Sequence, residues 1–116
     1  MDLGALAHNY GVLTRILAGR AAVMAMVKAD AYGHGAIAVS KELERCGARA
    51  LGVATVEEGM ELREAGVKLP GLVMGGLLGV GSPASSAMVE ANLTPVIHST
   101  GVLDSLTWYG EQLQAN

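Results

Sequence analysis

The sequence lacks several features that would place it in common protein classes. Its 116 residues include no phenylalanine, one tryptophan and one cysteine, Cys46. A single cysteine cannot form an internal disulfide, which excludes a disulfide-stapled secreted scaffold and favours a reducing cytoplasm. Eight Lys and Arg against eleven Asp and Glu give a net charge of −3. There is thus no cationic surplus to attract nucleic acid or anionic lipid.

Membrane and leader signals are also missing. The longest uncharged apolar stretch, Gly71–Gly81, is shorter than the roughly 18 residues that cross a bilayer. Asp2, Asn9 and Arg15 interrupt any N-terminal signal peptide. What is present is a chain that is 51% hydrophobic, enough for one core built from Ala, Leu, Val and Met in one domain. We predict no nucleic-acid partner, no membrane partner and no metal site.

Hydrophobic spacing predicts a helix followed by four strand–helix units. Apolar residues three and four apart between Leu3 and Leu17 predict a covering helix. Continuous apolar runs predict four buried strands, over Ala21–Ala29, Ala50–Ala54, Leu72–Met74 and Thr94–Ile97. Later helices are predicted from Ala36 to Cys46, from Val56 to Ala65, from Pro83 to Ala91, and through Val102, Leu106, Tyr109 and Leu113. Such α/β units form a parallel sheet, either a small doubly wound sheet or four of the eight units of a barrel.

The helix after the second strand begins with a capping-box pattern. In Thr55-x-x-Glu58, the threonine accepts from a helical N–H and the glutamate reaches back to the cap. The helix's charges predict a solvated face, with Arg63 available to Glu57 and Glu58 one turn away. The glycine-rich segment Gly75–Gly81 matches neither GxxxxGK[ST] nor GxGxxG, so we interpret it as a pliable loop.

Reactive side chains cluster where the first predicted strand ends. Lys28 is the only charged residue between Arg20 and Asp30, and active sites of parallel α/β proteins lie at the carboxyl ends of strands. A lysine amine there can form a Schiff base with a carbonyl substrate or with pyridoxal phosphate, or it can simply end the strand and reach solvent. Tyr32 follows and can donate its phenol to a ligand phosphate or carboxylate near the next helix N-terminus. His34 can serve as a second proton carrier, and the alternative for both residues is that they cap the turn.

The residues around this lysine resemble a known family. Met24–Gly35, with the sequence MAMVKADAYGHG, closely resembles the pyridoxal-phosphate attachment segment of bacterial alanine racemases. Asp2–Asn9, Leu51–Arg63 and Leu93–Ser99 are similar to the family's opening helix, second unit and fourth strand. The resemblance implies parallel β/α units that form the first half of a TIM-type (β/α)8 barrel, preceded by a covering helix. Residues 1–116 are then the N-terminal part of the barrel domain, without its second half or the C-terminal β domain.

The resemblance also implies site residues and a reaction. Lys28 is implied to hold pyridoxal phosphate as an internal aldimine and to act as the base on one face of the substrate Cα. Tyr32 is implied to contact the cofactor phosphate, and Met26 and Met74 to line the cofactor pocket. The implied reaction interconverts L- and D-alanine in the cytoplasm and supplies D-alanine for peptidoglycan.

Racemisation needs a second base on the opposite face of the substrate. In the family this is a tyrosine of the C-terminal β domain, contributed across a homodimer interface, and none of Tyr10, Tyr32 and Tyr109 occupies that context. We therefore expect this chain to be inactive alone. Two alternatives remain: a pyridoxal-phosphate homeostasis or decarboxylase-like barrel protein, against which the Tyr32–Gly35 continuation argues, and a non-catalytic binding module.

Overall fold

The chain folds as a helix followed by alternating strands and helices. The computed structural model describes residues 1–75, 83–101, 103, 104, 107 and 111. Its elements are α1 (Leu3–Leu17), β1 (Met24–Met26), α2 (Lys28–Tyr32), α3 (Ala36–Arg45), β2 (Ala50–Val53), α4 (Val56–Glu64), β3 (Gly71–Val73), α5 (Pro83–Glu90) and β4 (Leu93–Pro95). Of the predicted last helix, residues 100, 101, 103, 104, 107 and 111 are helical. The rest of that helix, and the predicted glycine-rich loop from residue 76 onward, lie outside the described residues.

The four strands form one parallel sheet in the order β1-β2-β3-β4. The register places Met26 opposite Gly52 and Gly52 opposite Leu72. A doubly wound sheet reverses its strand order at a switch point, whereas a barrel adds each strand beside the preceding one. The sequential order therefore decides between the two architectures that the sequence left open, and it favours barrel units.

The core lies between one face of the sheet and the helices. Leu51, Val53 and Val73 are at most 1% exposed, and they belong to a buried cluster with helical residues that include Val39, Leu43, Val56, Leu62 and Met88. Successive strand residues point to opposite faces, so Met24 lies on the other face of the sheet, where it is 46% exposed. The covering helix α1 contributes Leu6 and Tyr10 against the core.

Leu93 on β4 fills space that two glycines leave open. A Cβ atom added to Gly59 of α4 would lie 2.7 Å from Leu93 Cδ1, and one added to Gly71 of β3 would lie 2.9 Å from Leu93 Cδ2. Leu93 is 7% exposed. The isobutyl group is thus enclosed by the backbones of a helix and a neighbouring strand, and neither glycine position has room for a side chain.

Arg63 joins α4 to the segments that follow it. Its Nε donates to Ala91 O at 3.0 Å, and its Nη1 donates to Val67 O at 3.0 Å and Leu69 O at 2.9 Å. The predicted pairing of Arg63 with acidic residues one turn earlier is therefore wrong. The physical reason is that these carbonyls need donors, and a half-buried guanidinium supplies several N–H groups in a fixed planar arrangement.

Candidate active site

The predicted site lies at the carboxyl end of the parallel sheet, but its lysine is not part of a strand. Val27 has φ −119° and ψ 19°, and Lys28 begins α2, so the predicted strand over Ala21–Ala29 is too long. The Val27 N–H still donates to Gly52 O at 2.9 Å, which extends the β1–β2 pairing to the residue before Lys28. Lys28 itself is half-buried, and among the described residues no carboxylate forms an ion pair with it.

The backbone after Lys28 follows a left-handed turn. Residues 29–32 have φ values between 51° and 56°, a conformation that costs roughly 1–2 kcal/mol for each residue other than glycine. Gly33 and Gly35 continue it with φ of 87° and 93°. Within the described part of the chain, nothing lies within 4 Å of a Cβ added at either position. Glycine is needed there because of the positive φ.

Two carboxylates hold this turn. Glu58 Oε1 accepts from the Ala29 N–H at 3.0 Å, while Glu58 Oε2 accepts from the Ala54 N–H at 2.7 Å. Asp30 Oδ1 accepts from the Ala36 N–H at 2.8 Å. Glu58 therefore bridges the ends of β1 and β2, and Asp30 ties the turn to the first residue of α3. The sequence analysis considered the N-terminus of α3 as a binding site for a ligand anion, but its Ala36 N–H already donates to Asp30.

Half of the predicted capping box is confirmed. Thr55 Oγ1 accepts from the Glu58 N–H at 3.2 Å. The Glu58 side chain does not return to the Thr55 N–H, because its two oxygens bind the amides of Ala29 and Ala54. The prediction that Glu58 belongs to a solvated helix face is therefore wrong. The T-x-x-E pattern located the residue, but only the packing of α4 beside two strand ends shows where its carboxylate lies.

The remaining predicted site residues fall into two groups. Met26 and Tyr32 line an apolar cavity of about 340 Å³ between α1, β1 and α3, and the lining includes neither Lys28 nor Met74. Tyr32 is 61% exposed, and Met74, directly after β3, is 43% exposed. Met26 also lies across Gly52, where an added Cβ would be 2.7 Å from Met26 Cε. All four residues thus lie near the carboxyl edge, but only two share a cavity.

Two further observations bear on the kind of site. Within the described ranges, no group of three His, Cys, Asp or Glu side chains is placed to hold a metal ion. Among those same residues, no helix combines the length and apolar character needed to cross a membrane.

Comparison with known proteins gives the family. The sequence profile of "Alanine racemase, N-terminal domain" matches residues 1–116. The alanine racemase of Sorangium cellulosum is 44% identical over 108 residues, which are 91% of this chain and 28% of that protein. The alanine racemase of Mycolicibacterium smegmatis is 59% identical over 70 residues, which are 60% of this chain and 18% of that protein.

Solved structures agree with the sequence matches. The structure of alanine racemase from Streptomyces lavendulae superposes with a TM-score of 0.85 at 33% identity, over 98% of this chain and 29% of that one. Alanine racemase of Clostridium difficile 630 superposes with a TM-score of 0.83 at 30% identity, over 94% of this chain and 28% of that one. The chain spans less than a third of the length of these relatives. Its four parallel units are the first half of a TIM-type barrel, and the chain belongs to the alanine racemase family.

Proposed function

We propose that this chain supplies the cofactor-binding part of an alanine racemase that interconverts L- and D-alanine and provides D-alanine for peptidoglycan. The observation that carries the proposal is the placement of Lys28. This half-buried residue follows Val27, the last residue that pairs with β2, at the carboxyl edge of the sheet, in a chain whose residues 1–116 all match this family.

The residues at this edge fit part of pyridoxal phosphate. The Lys28 amine, which no described carboxylate neutralises, suits covalent attachment of an aldehyde, and the exposed Tyr32 phenol suits a phosphate oxygen. Met26 and Met74 offer apolar contact to a ring. When bound, the cofactor's conjugated ring accepts the electron pair that remains on the substrate Cα after its proton leaves.

In the proposed reaction Lys28 has two roles. Its Nζ would hold the cofactor through the aldehyde carbon. With substrate bound, the same Nζ would take the Cα proton from one face of alanine or return a proton to that face. Tyr32 would hold the phosphate through its phenol.

A racemase also needs a base on the other face of Cα, and we propose that it comes from outside residues 1–116. The proposed assembly is a homodimer in the cytoplasm, in which a second half-barrel and a C-terminal β domain complete the site. The short span of this chain relative to its matched relatives supports this division. The single free cysteine, Cys46, suits a reducing compartment.

Covalent labelling tests the cofactor role. The chain is mixed with pyridoxal phosphate, reduced with borohydride so that any carbon–nitrogen double bond becomes stable, and digested for mass spectrometry. We expect the label on Lys28 and its loss in Lys28→Ala. Lys41→Ala removes an exposed lysine of α3 and is the matched control. We expect this variant to keep the label on Lys28. Wild-type protein without label on Lys28 would refute the proposal.

An activity assay tests the division of the site. The 116-residue chain is incubated with L-alanine and pyridoxal phosphate, and D-alanine is measured over time. We expect no turnover by the chain alone, because only one face of Cα has a base. Turnover by the wild-type chain alone would show that its own residues supply the second base.

A further inference from the structure

The geometry points to Glu58 as the positioning residue for Lys28. We infer that its carboxylate holds the backbone amide directly after Lys28 and thereby sets where the lysine amine lies. Glu58 contacts neither cofactor nor substrate in this inference, since its two oxygens are taken by the Ala29 and Ala54 amides. The inference rests on the proposed function, because the position of the amine matters only if Lys28 binds the cofactor.

The contact links parts of the chain that are far apart in sequence. Ala29 and Glu58 are separated by 29 residues, whereas Ala54 is four residues before Glu58. The two amides belong to the segments that follow β1 and β2. The Glu58 carboxylate therefore connects the ends of two neighbouring strands and fixes the distance between them. Hydrogen bonds that a carboxylate accepts are stronger than hydrogen bonds between two neutral groups.

The held residue is the first of the left-handed turn. Ala29 has φ 51° and ψ 49°, and strained backbone of this kind persists only where surrounding contacts hold it. Later residues of the turn have other contacts, since the Ala31 N–H donates to Val27 O at 2.9 Å and Asp30 binds the start of α3. Glu58 is thus the acceptor that acts next to Lys28, where the chain leaves the sheet.

Glu58 is itself fixed in place. Its own N–H donates to Thr55 Oγ1 at 3.2 Å in the N-cap of α4, and the flanking residues Val56 and Gly59 are buried against the core. A carboxylate on an anchored helix turn can define a position, whereas one on a mobile loop cannot. Glu57, the preceding residue, is exposed and provides a matched acidic control.

The test compares cofactor binding at Lys28 across four proteins at one pH. Pyridoxal phosphate is titrated into wild type, Glu58→Ala, Thr55→Ala and Glu57→Ala, and the visible band of lysine-bound cofactor gives an apparent dissociation constant. Loss of a hydrogen bond to a charged group predicts about tenfold weaker binding for Glu58→Ala. Glu57→Ala removes the same charge, so it controls for electrostatic attraction of the phosphate. We expect its binding to stay within about twofold of wild type.

Thr55→Ala separates positioning from stability. It removes the N-cap of the same helix and lowers the free energy of unfolding, but the buried residues Val56 and Gly59 still hold the helix turn that carries the Glu58 carboxylate. Binding by Thr55→Ala within about twofold of wild type, under conditions where circular dichroism shows all variants folded, supports the inference. Equal weakening by Thr55→Ala and Glu58→Ala would overturn it, because a purely structural effect would then account for both.

Glu58→Gln keeps the side-chain shape and one acceptor oxygen, so it covers the case in which Glu58→Ala does not fold. We expect an affinity between those of wild type and Glu58→Ala. If Lys28 of the wild type carries the label but Glu58→Gln and Glu58→Ala bind the cofactor as tightly as wild type, the positioning role of Glu58 is overturned and the proposed function is not. Absence of the band in wild type would overturn the proposed function and this inference with it.

Discussion

Gly59→Ala is expected to destabilise the protein, although alanine is a better helix former than glycine. Within a helix the exchange gains about 1 kcal/mol from propensity. At position 59 the new Cβ would lie 2.7 Å from Leu93 Cδ1 and 3.2 Å from Leu93 Cδ2. Leu93 cannot move away easily, because it is 7% exposed and its other side faces Gly71. Overpacking of this kind costs about 1–3 kcal/mol, so after the propensity gain we expect a net loss of up to about 2 kcal/mol.

The assay is urea unfolding followed by circular dichroism, with Gly11→Ala as the control. Gly11 lies inside α1, and none of the residues that the structure describes comes within 4 Å of a Cβ added there, so only the propensity gain of about 1 kcal/mol should appear. In a Leu93→Ala background the side chain that would overlap with the new Cβ is absent. There Gly59→Ala should raise the free energy of unfolding by the propensity gain of about 1 kcal/mol. Equal stabilisation by Gly59→Ala and Gly11→Ala in the wild-type background would refute the packing argument.

Two further substitutions test other contacts of the core by the same unfolding measurement. Arg63→Lys should lower the free energy of unfolding by about 1–3 kcal/mol, because one ammonium cannot reproduce the guanidinium's three bonds to carbonyls. Arg45→Lys is the control, since the Arg45 side chain is 69% exposed in its ion pair with Glu42, and it should change the free energy of unfolding by less than about 0.5 kcal/mol. Equal effects of the two substitutions would contradict the role of Arg63. Ser40→Ala should raise the free energy of unfolding by about 1 kcal/mol, because Ser40 is 0% exposed and its hydroxyl has no hydrogen-bond partner within the described part of the chain. A lower free energy of unfolding in Ser40→Ala would show that the hydroxyl does have a hydrogen-bond partner.

Most of the elements could be predicted because their signals are local. The apolar stripe between Leu3 and Leu17 and the N-cap at Thr55 depend on spacings of three and four residues, which a helix brings to one face or to one end. The predicted order of strands and helices from α1 to β4 is therefore confirmed, apart from the short α2, which was not predicted. The first strand is predicted too long because residues 27–29 are apolar around one lysine, and composition does not show where the backbone changes from extended to left-handed.

The candidate site shows the same division. The segment Met24–Gly35 makes Lys28 and Tyr32 candidates through its residue types and its resemblance to the family, and their roles stay predictions. The Glu58 carboxylate reaches the Ala29 N–H because β1 and β2 are neighbours in the sheet, so no pattern within either segment indicates this bond. Arg63 is a similar case, since its carbonyl partners belong to segments that follow α4.

The sequence by itself determined that this chain alternates apolar strands with amphipathic helices and that a lysine lies near the end of the first apolar run. These properties depend on short-range periodicity and on the chemistry of single residues. Only the tertiary structure decided that the strands lie in the order β1-β2-β3-β4 and that Glu58 holds the backbone beside Lys28. Strand order and side-chain direction follow from which surfaces pack together, and packing depends on contacts between residues that are distant along the chain.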